Sequence, residues 1–111
     1  MNGFYAIYFT GTSGSGFGLL ALKDGSIVGV DVTGGMFDGE YKVIGDEMEG
    51  RLRVNLPPGT TSVTGHVAGP NGLTLEYPLR LPINLGAGHT ISLRTPHGPI
   101  NVNVKKLRDL A

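Results

Sequence analysis

Short apolar runs in which every second residue is hydrophobic, each stopped by Gly, Pro, Asn or Asp, repeat from one end of this chain to the other. That pattern constrains the fold more than any other feature. Side chains alternate between the two faces of a strand with a period of two, whereas an amphipathic helix repeats every three to four residues, and helical spacing is nearly absent. The chain is therefore expected to form many short strands joined by hairpins.

In the first run, FYAIYF, Tyr5, Ile7 and Phe9 share one face while Phe4, Ala6 and Tyr8 share the other, so both sides of this strand are expected to be covered. FGLLALK ends at Asp24-Gly25, a pair that tolerates the positive φ of a tight hairpin turn. SIVGVDVT sets Val28, Val30 and Val32 on one face. MFDGEYKVI sets Phe37, Gly39, Tyr41 and Val43 against Asp38, Glu40 and Lys42, and such alternation predicts one dry face and one wet face. In EMEGRLRVNL the inward set is Met48, Leu52, Val54 and Leu56, with Glu49, Arg51 and Arg53 outside, where opposite charges can pair across strands. SVTGHV, between Pro57-Pro58-Gly59 and Gly69-Pro70-Asn71-Gly72, is a further candidate strand. LTLEYPLRLP alternates again, and Pro78, lacking an amide donor, points to an edge or a bulge. HTISLRT and PINVNVKKL complete the series with Ile91, Leu93, Ile100, Val102 and Val104 as core.

Eight or nine strands in 111 residues predict a single all-β domain over residues 1–111, a small eight-stranded antiparallel up-and-down barrel of the lipocalin-like kind. Closure is favoured because it leaves no long unpaired edge. The interior either fills with side chains or leaves a pocket for an apolar small molecule or lipid, and so short a chain favours a filled or nearly filled core.

Nine basic and nine acidic residues cancel, which argues against nucleic acid as a ligand. There is no cysteine for a disulfide, a thiolate metal site or a nucleophile. No apolar run approaches the roughly 20 residues of a spanning helix, and the start MNGFYAIYF has no leader-like pattern, so the simplest address is the cytoplasm.

The glycine-rich stretch TGTSGSGFG invites comparison with a phosphate loop. A Walker loop needs a lysine after its last glycine and a helix behind it, and this stretch delivers Phe17 and an extended run. It reads as a hairpin connection. His66, His89 and His97 lack metal-ligand spacing, so no metal or cofactor is expected. Ser13, Ser15, Ser26, Ser62 and Ser92 lack a nucleophile elbow, so no catalytic set is expected either. The sharpest charge cluster is GDEMEG: Asp46, Glu47 and Glu49 make either a solvated hairpin tip or an acidic recognition patch for a basic protein surface, which Asp31 and Asp38 would extend if they face outward. Two barrels are expected to pair as a homodimer through an outer strip of Phe4, Ala6 and Tyr8.

The order Gly3-Phe-Tyr5-x-Ile7-x-Phe9, Gly16-x-Gly18-x-Leu20, Asp24-Gly25, Gly29-x-Asp31 and Phe37-x-Gly39-x-Tyr41, followed by the acidic turn, resembles the GrlR-like proteins, negative regulators of bacterial type III secretion genes. The resemblance covers about residues 3 to 56, and the second half follows by strand pattern. It implies a lipocalin-like barrel, commonly dimeric, that regulates by binding a transcriptional activator protein. The family's acidic run of four carboxylates matches Asp46-Glu47-Met48-Glu49, where Met48 replaces one acid and is expected to face inward.

Overall fold

The structure, a computed structural model, describes residues 1–110, the side chain of His89 excepted. Eight antiparallel strands make one sheet: β1 (Gly3–Gly11), β2 (Gly14–Lys23), β3 (Ser26–Asp31), β4 (Met36–Ile44), β5 (Glu47–Leu56), β6 (Leu73–Pro82), β7 (Ala87–Thr95) and β8 (Gly98–Asp109). The spatial order is β6-β5-β4-β3-β2-β1-β8-β7, an up-and-down meander curled into an open barrel whose edges, β6 and β7, are consecutive in the chain. No helix occurs among the described residues, and so none is long and apolar enough to cross a membrane.

Local chemistry explains the hairpins. Asp24 and Gly25 take φ of 49° and 85°, the left-handed pair that a two-residue turn of type I′ requires. Asn2 holds that turn: its Nδ2 donates to Asp24 Oδ1 at 3.1 Å, and the Asp24 amide donates to Asn2 Oδ1 at 3.0 Å. The glycine-rich stretch reduces to a turn at Thr12-Ser13, with Gly14, Gly16 and Gly18 already inside β2 and paired to β1. The Phe9 ring lies over Gly16, where an added Cβ would stand 2.3 Å from it. A side chain at that position would expel the ring from the interior.

The inward faces of the strands build one core from Tyr5, Ile7, Leu22, Ile27, Phe37, Met48, Val54, Leu75, Leu81, Ile100 and Val104, with Leu85 closing the end near the β6–β7 turn. Most of this set follows the alternation in the sequence. β3 does not. Val28 and Val30, with Val32 just beyond the strand, face outward, Val28 being 59% exposed, while Ile27, 1% exposed, faces the core. Both faces of SIVGVD carry apolar residues, so the alternation alone leaves the choice open, and a one-residue shift reverses it. Cross-strand partners decide: Val28 lies opposite Asp38 on the wet face of β4, and Gly29 lies opposite Phe37, whose ring covers it.

SVTGHV is not a strand. Residues 57–72 form a compact connection between β5 and β6 with isolated bridges at Thr61–Val67 and Gly69–Gly72. Its polar groups are bonded locally, the Ser62 amide to the His66 carbonyl at 2.8 Å and the Ala68 amide to the Thr60 carbonyl at 2.8 Å.

Pro78 does sit on an edge strand. No backbone ladder joins β6 to β7 among the described residues, so the barrel carries a seam where full closure was expected. The Glu76 carbonyl faces the β7–β8 turn, and the backbone of Pro78, two residues on, faces the same way. Lacking an N–H there, Pro78 cannot donate across the seam and blunts the edge against foreign strands.

The outer surface divides in two. Over β4, β5 and β6 it is an ion-pair lattice in which Arg53 meets Glu40 and Asp38, Arg51 meets Glu76, and Arg80 meets Glu47. Over β1 to β3, and at Met36 where β4 begins, it exposes apolar side chains, among them Phe4, Tyr8, Leu19, Val28 and Val30.

Candidate functional site: the barrel interior and its cover

The core is not filled. A cavity of about 170 Å³ runs inside the barrel, walled by Ile7, Ile27, Phe37, Met48, Val54, Leu81 and their neighbours. An apolar cavity of about 150 Å³ elsewhere stays dry and takes up benzene or xenon, so this volume suits one small ring or a short chain. Of the two outcomes the sequence leaves open, a filled or nearly filled core and a pocket, the interior has space for the second.

The polar content of the wall is low and already engaged. Among the described residues every buried side-chain nitrogen and oxygen has a hydrogen-bond partner. No lysine, arginine or histidine lines the cavity, and the one charged residue that does, Asp31, is held in its own turn. Its Oδ1 accepts from the Thr33 amide at 3.0 Å, the Thr33 hydroxyl at 2.7 Å and the Gly35 amide at 2.8 Å. Burial raises the phenols of Tyr5 and Tyr77 above their ordinary value, in part offset by Lys106 beside Tyr5 and by the Thr64 hydroxyl beside Tyr77. Both are neutral across the physiological range. Such a wall has no charge to offer an anion, and burying an uncompensated one is costly.

Residues 57–72 cover one end. They reach three neighbouring turns: Val63 accepts the Ser13 amide at 2.8 Å in the β1–β2 turn, Pro57 lies beside Gly34 in the β3–β4 turn, and Thr64 lies beside Gly98 in the β7–β8 turn. Thr61, Ser62 and Val63 form part of the cavity wall, and Ala68 is buried in the core cluster. Gly11 is what lets the cover lie so close, because a Cβ there would stand 2.3 Å from the Val63 carbonyl oxygen.

A polar cluster fastens the cover to the seam. The His97 Nε2 lies 3.1 Å from the Glu76 carbonyl oxygen, a contact in which the imidazole must donate. The His66 ring packs edge-on against His97 with centroids 5.2 Å apart, and Tyr77 does so from β6 at 5.1 Å. The His66 Nδ1 contacts the Thr64 hydroxyl at 3.0 Å, the Ser62 and Thr64 hydroxyls lie 3.0 Å apart, and the His66 amide donates to Ser62 Oγ at 2.9 Å. Ser62 is thus bonded to Thr64 and to backbone, not to an imidazole. The geometry is that of a fastening rather than an activated nucleophile. The sequence gives little sign of this cluster, since His66 and His97 meet only once residues 57–72 fold over the barrel.

The acidic turn is in place, with Asp46 and Glu47 following Gly45 at its φ of 63°. Its glutamates are engaged: Arg80 on β6 lies 3.1 Å from Glu47 and 3.7 Å from Glu49. Asp46 is exposed, and Met48, as expected, is buried at 2% exposure. Asp38 faces outward but pairs with Arg53, and Asp31 is consumed by its turn. The strip on β1 holds Phe4 and Tyr8 exposed, while Ala6 between them is covered by its cross-strand neighbours Leu19 and Lys105. That strip widens into the row Ala6, Leu19, Val30 and Met36 across β1 to β4. The amides of Gly14, Gly16 and Gly18 belong to strand ladders with no helix behind them, so they form no phosphate cradle.

Compared with known proteins, no family model and no curated protein sequence matches this chain.

Proposed function

We propose that this protein is a non-enzymatic binding module that holds a small, neutral, apolar molecule inside its barrel. The observation that carries this reading is the cavity of about 170 Å³, lined by aliphatic and aromatic side chains and bearing no cationic residue. Neutral rings or short hydrocarbon chains fit that wall, whereas a carboxylate or phosphate of equal size would lose its hydration without a partner. Thermal unfolding in the presence of toluene and of benzoate tests it. Toluene at about 100 times its dissociation constant adds about 2.7 kcal/mol to stability and raises Tm, and benzoate at the same concentration leaves it unchanged. No shift with toluene, or an equal shift with benzoate, contradicts the reading.

The apolar outer face favours a second reading, a protein-binding regulator of the GrlR-like kind. Phe4, Tyr8, Leu19, Val28, Val30 and Met36 are exposed on four adjacent strands, a surface suited to covering by a second copy of the chain. The acidic turn would then meet a basic surface on an activator. Sedimentation of wild type and Leu19→Lys/Val30→Lys tests the dimer, and pull-downs with Glu47→Lys/Glu49→Lys test the turn. A monomeric wild type, or unchanged capture by the charge-reversed protein, removes the corresponding part.

A further inference from the structure

We infer that the ligand of this barrel carries one hydrogen-bond donor, an N–H or O–H, which the free carboxylate oxygen of Asp31 accepts while the apolar remainder of the molecule lies in the cavity. The inference rests on the cavity reading and narrows it, from neutral apolar molecules in general to those with a single donor at one end. Asp31 stands where the strand pattern calls for an apolar side chain. Ile27 faces the core, and with a period of two Gly29 and Asp31 share its face, so β3 ends on an inward carboxylate that lines the cavity.

The turn after β3 uses only half of that carboxylate. The Thr33 amide, the Thr33 hydroxyl and the Gly35 amide all donate to Oδ1, and among the described residues nothing donates to Oδ2. No flanking side chain can make up the difference. The cross-strand partner of Asp31 on β2 is Gly18, and on the other side lies Gly35, where an added Cβ would stand 2.8 Å from Oδ2. Among the described residues no cation pairs with Asp31 either. An acceptor oxygen beside an apolar space is costly until a donor reaches it, and the occupant of the cavity is placed to bring one. The wall is also graded along the barrel, which gives such a molecule a direction. Beneath residues 57–72 it holds Ser15, Asp31, Thr33 and Thr61, whereas beside the β2–β3 and β4–β5 turns it holds Leu22, Ile27 and Met48. A head that can only accept hydrogen bonds meets a like-signed oxygen at the polar end and gains nothing there.

Titrating the full chain with pyrrole and with furan near neutral pH, followed by the amide resonances of Thr33 and Gly35, tests this, with toluene as the common competitor. The two rings are nearly equal in size, but pyrrole presents an N–H donor and furan only an acceptor. Hydrogen bonds to a charged acceptor are among the stronger ones, so wild type binds pyrrole at least about tenfold more tightly than furan, and pyrrole displaces toluene. N-methylpyrrole, which has lost the donor, loses the same advantage. Asp31→Asn keeps an oxygen for the three turn bonds and presents an amide N–H₂ in place of Oδ2, so its preference passes from pyrrole to furan. A wild-type ratio near one, pyrrole that leaves toluene in place, or a pyrrole preference that survives in Asp31→Asn overturns the inference and leaves the cavity reading standing wherever toluene binds. Wild type that binds no toluene sinks both. Should Asp31→Asn fail to fold, pyrrole against N-methylpyrrole in wild type decides, and equal affinities overturn the inference.

Discussion

The Nε2 of His97 stands 3.1 Å from the carbonyl oxygen of Glu76, and this contact ties the β7–β8 turn to the free edge of β6. The two edges of the sheet are otherwise joined at the opposite end by the turn Ile83–Gly86, so the seam is fastened at both ends and unzipped between them. A barrel built this way keeps a continuous apolar interior without a closed ring of hydrogen bonds. The interior and its fastening thus share one structural origin.

The outward valine face of β3 has a direct mutational signature. Ile27→Ala removes a side chain packed in the core and is expected to cost about 2–5 kcal/mol. Val28→Thr alters an exposed position and is expected to stay within about 0.5 kcal/mol. Urea unfolding of the two proteins distinguishes them, and a larger loss for Val28→Thr contradicts the register.

Two glycines of the first hairpin should behave oppositely. Gly11→Ala drives a Cβ into the Val63 backbone, displacing residues 57–72 from the barrel end, and should cost about 1–3 kcal/mol with faster exchange of the Ser13 amide. Gly14→Ala meets nothing within 4 Å and should be neutral or slightly stabilising. Equal effects would mean that residues 57–72 do not rest on Gly11.

Much of this architecture is legible in the sequence. Tyr5, Ile7 and Phe9 alternate into the core, Asp24-Gly25 makes the predicted turn, and Pro78 marks an edge. These are local properties of pleat and φ, and residues within a few positions of one another express them. SIVGVD shows which residues share a face but not which face is inner, because both faces are apolar, leaving the decision to Asp38 and Phe37 on the next strand. Residues 57–72 have turn signals but no periodicity, so nothing near them in sequence places them over the barrel end. The cavity is least legible of all, being the difference between the space the strands enclose and the volumes of side chains drawn from all eight.

At alkaline pH the buried phenols should set the stability. The folded-state values of Tyr5 and Tyr77 are raised by burial, so their contribution is complete below the unfolded value of 10.0 and is lost as pH climbs through the folded values. Denaturation midpoints between pH 9 and 12 should fall in wild type and fall less in Tyr77→Phe. A flat wild-type profile over that range contradicts the burial of these hydroxyls.

At acid pH the outer lattice should respond weakly. Hydrogen bonding to Arg53 holds Glu40 below its ordinary 4.5, so its contribution is present above that value and is lost as pH falls through the lower folded value. The pair is solvent-exposed, and salt should screen it. Arg53→Met should flatten the stability profile below pH 4.5, most visibly at low ionic strength, and an unchanged slope would show that the pair contributes nothing.

A crystal held under xenon pressure tests the central claim most directly. Xenon needs an apolar void and no hydrogen bond, so the account predicts a peak inside the barrel between Ile27, Phe37, Met48 and Leu81, and its loss in Val54→Phe, whose larger ring occupies the void. A barrel that takes up no xenon because its side chains meet across the centre, or because ordered water fills the space, would contradict it.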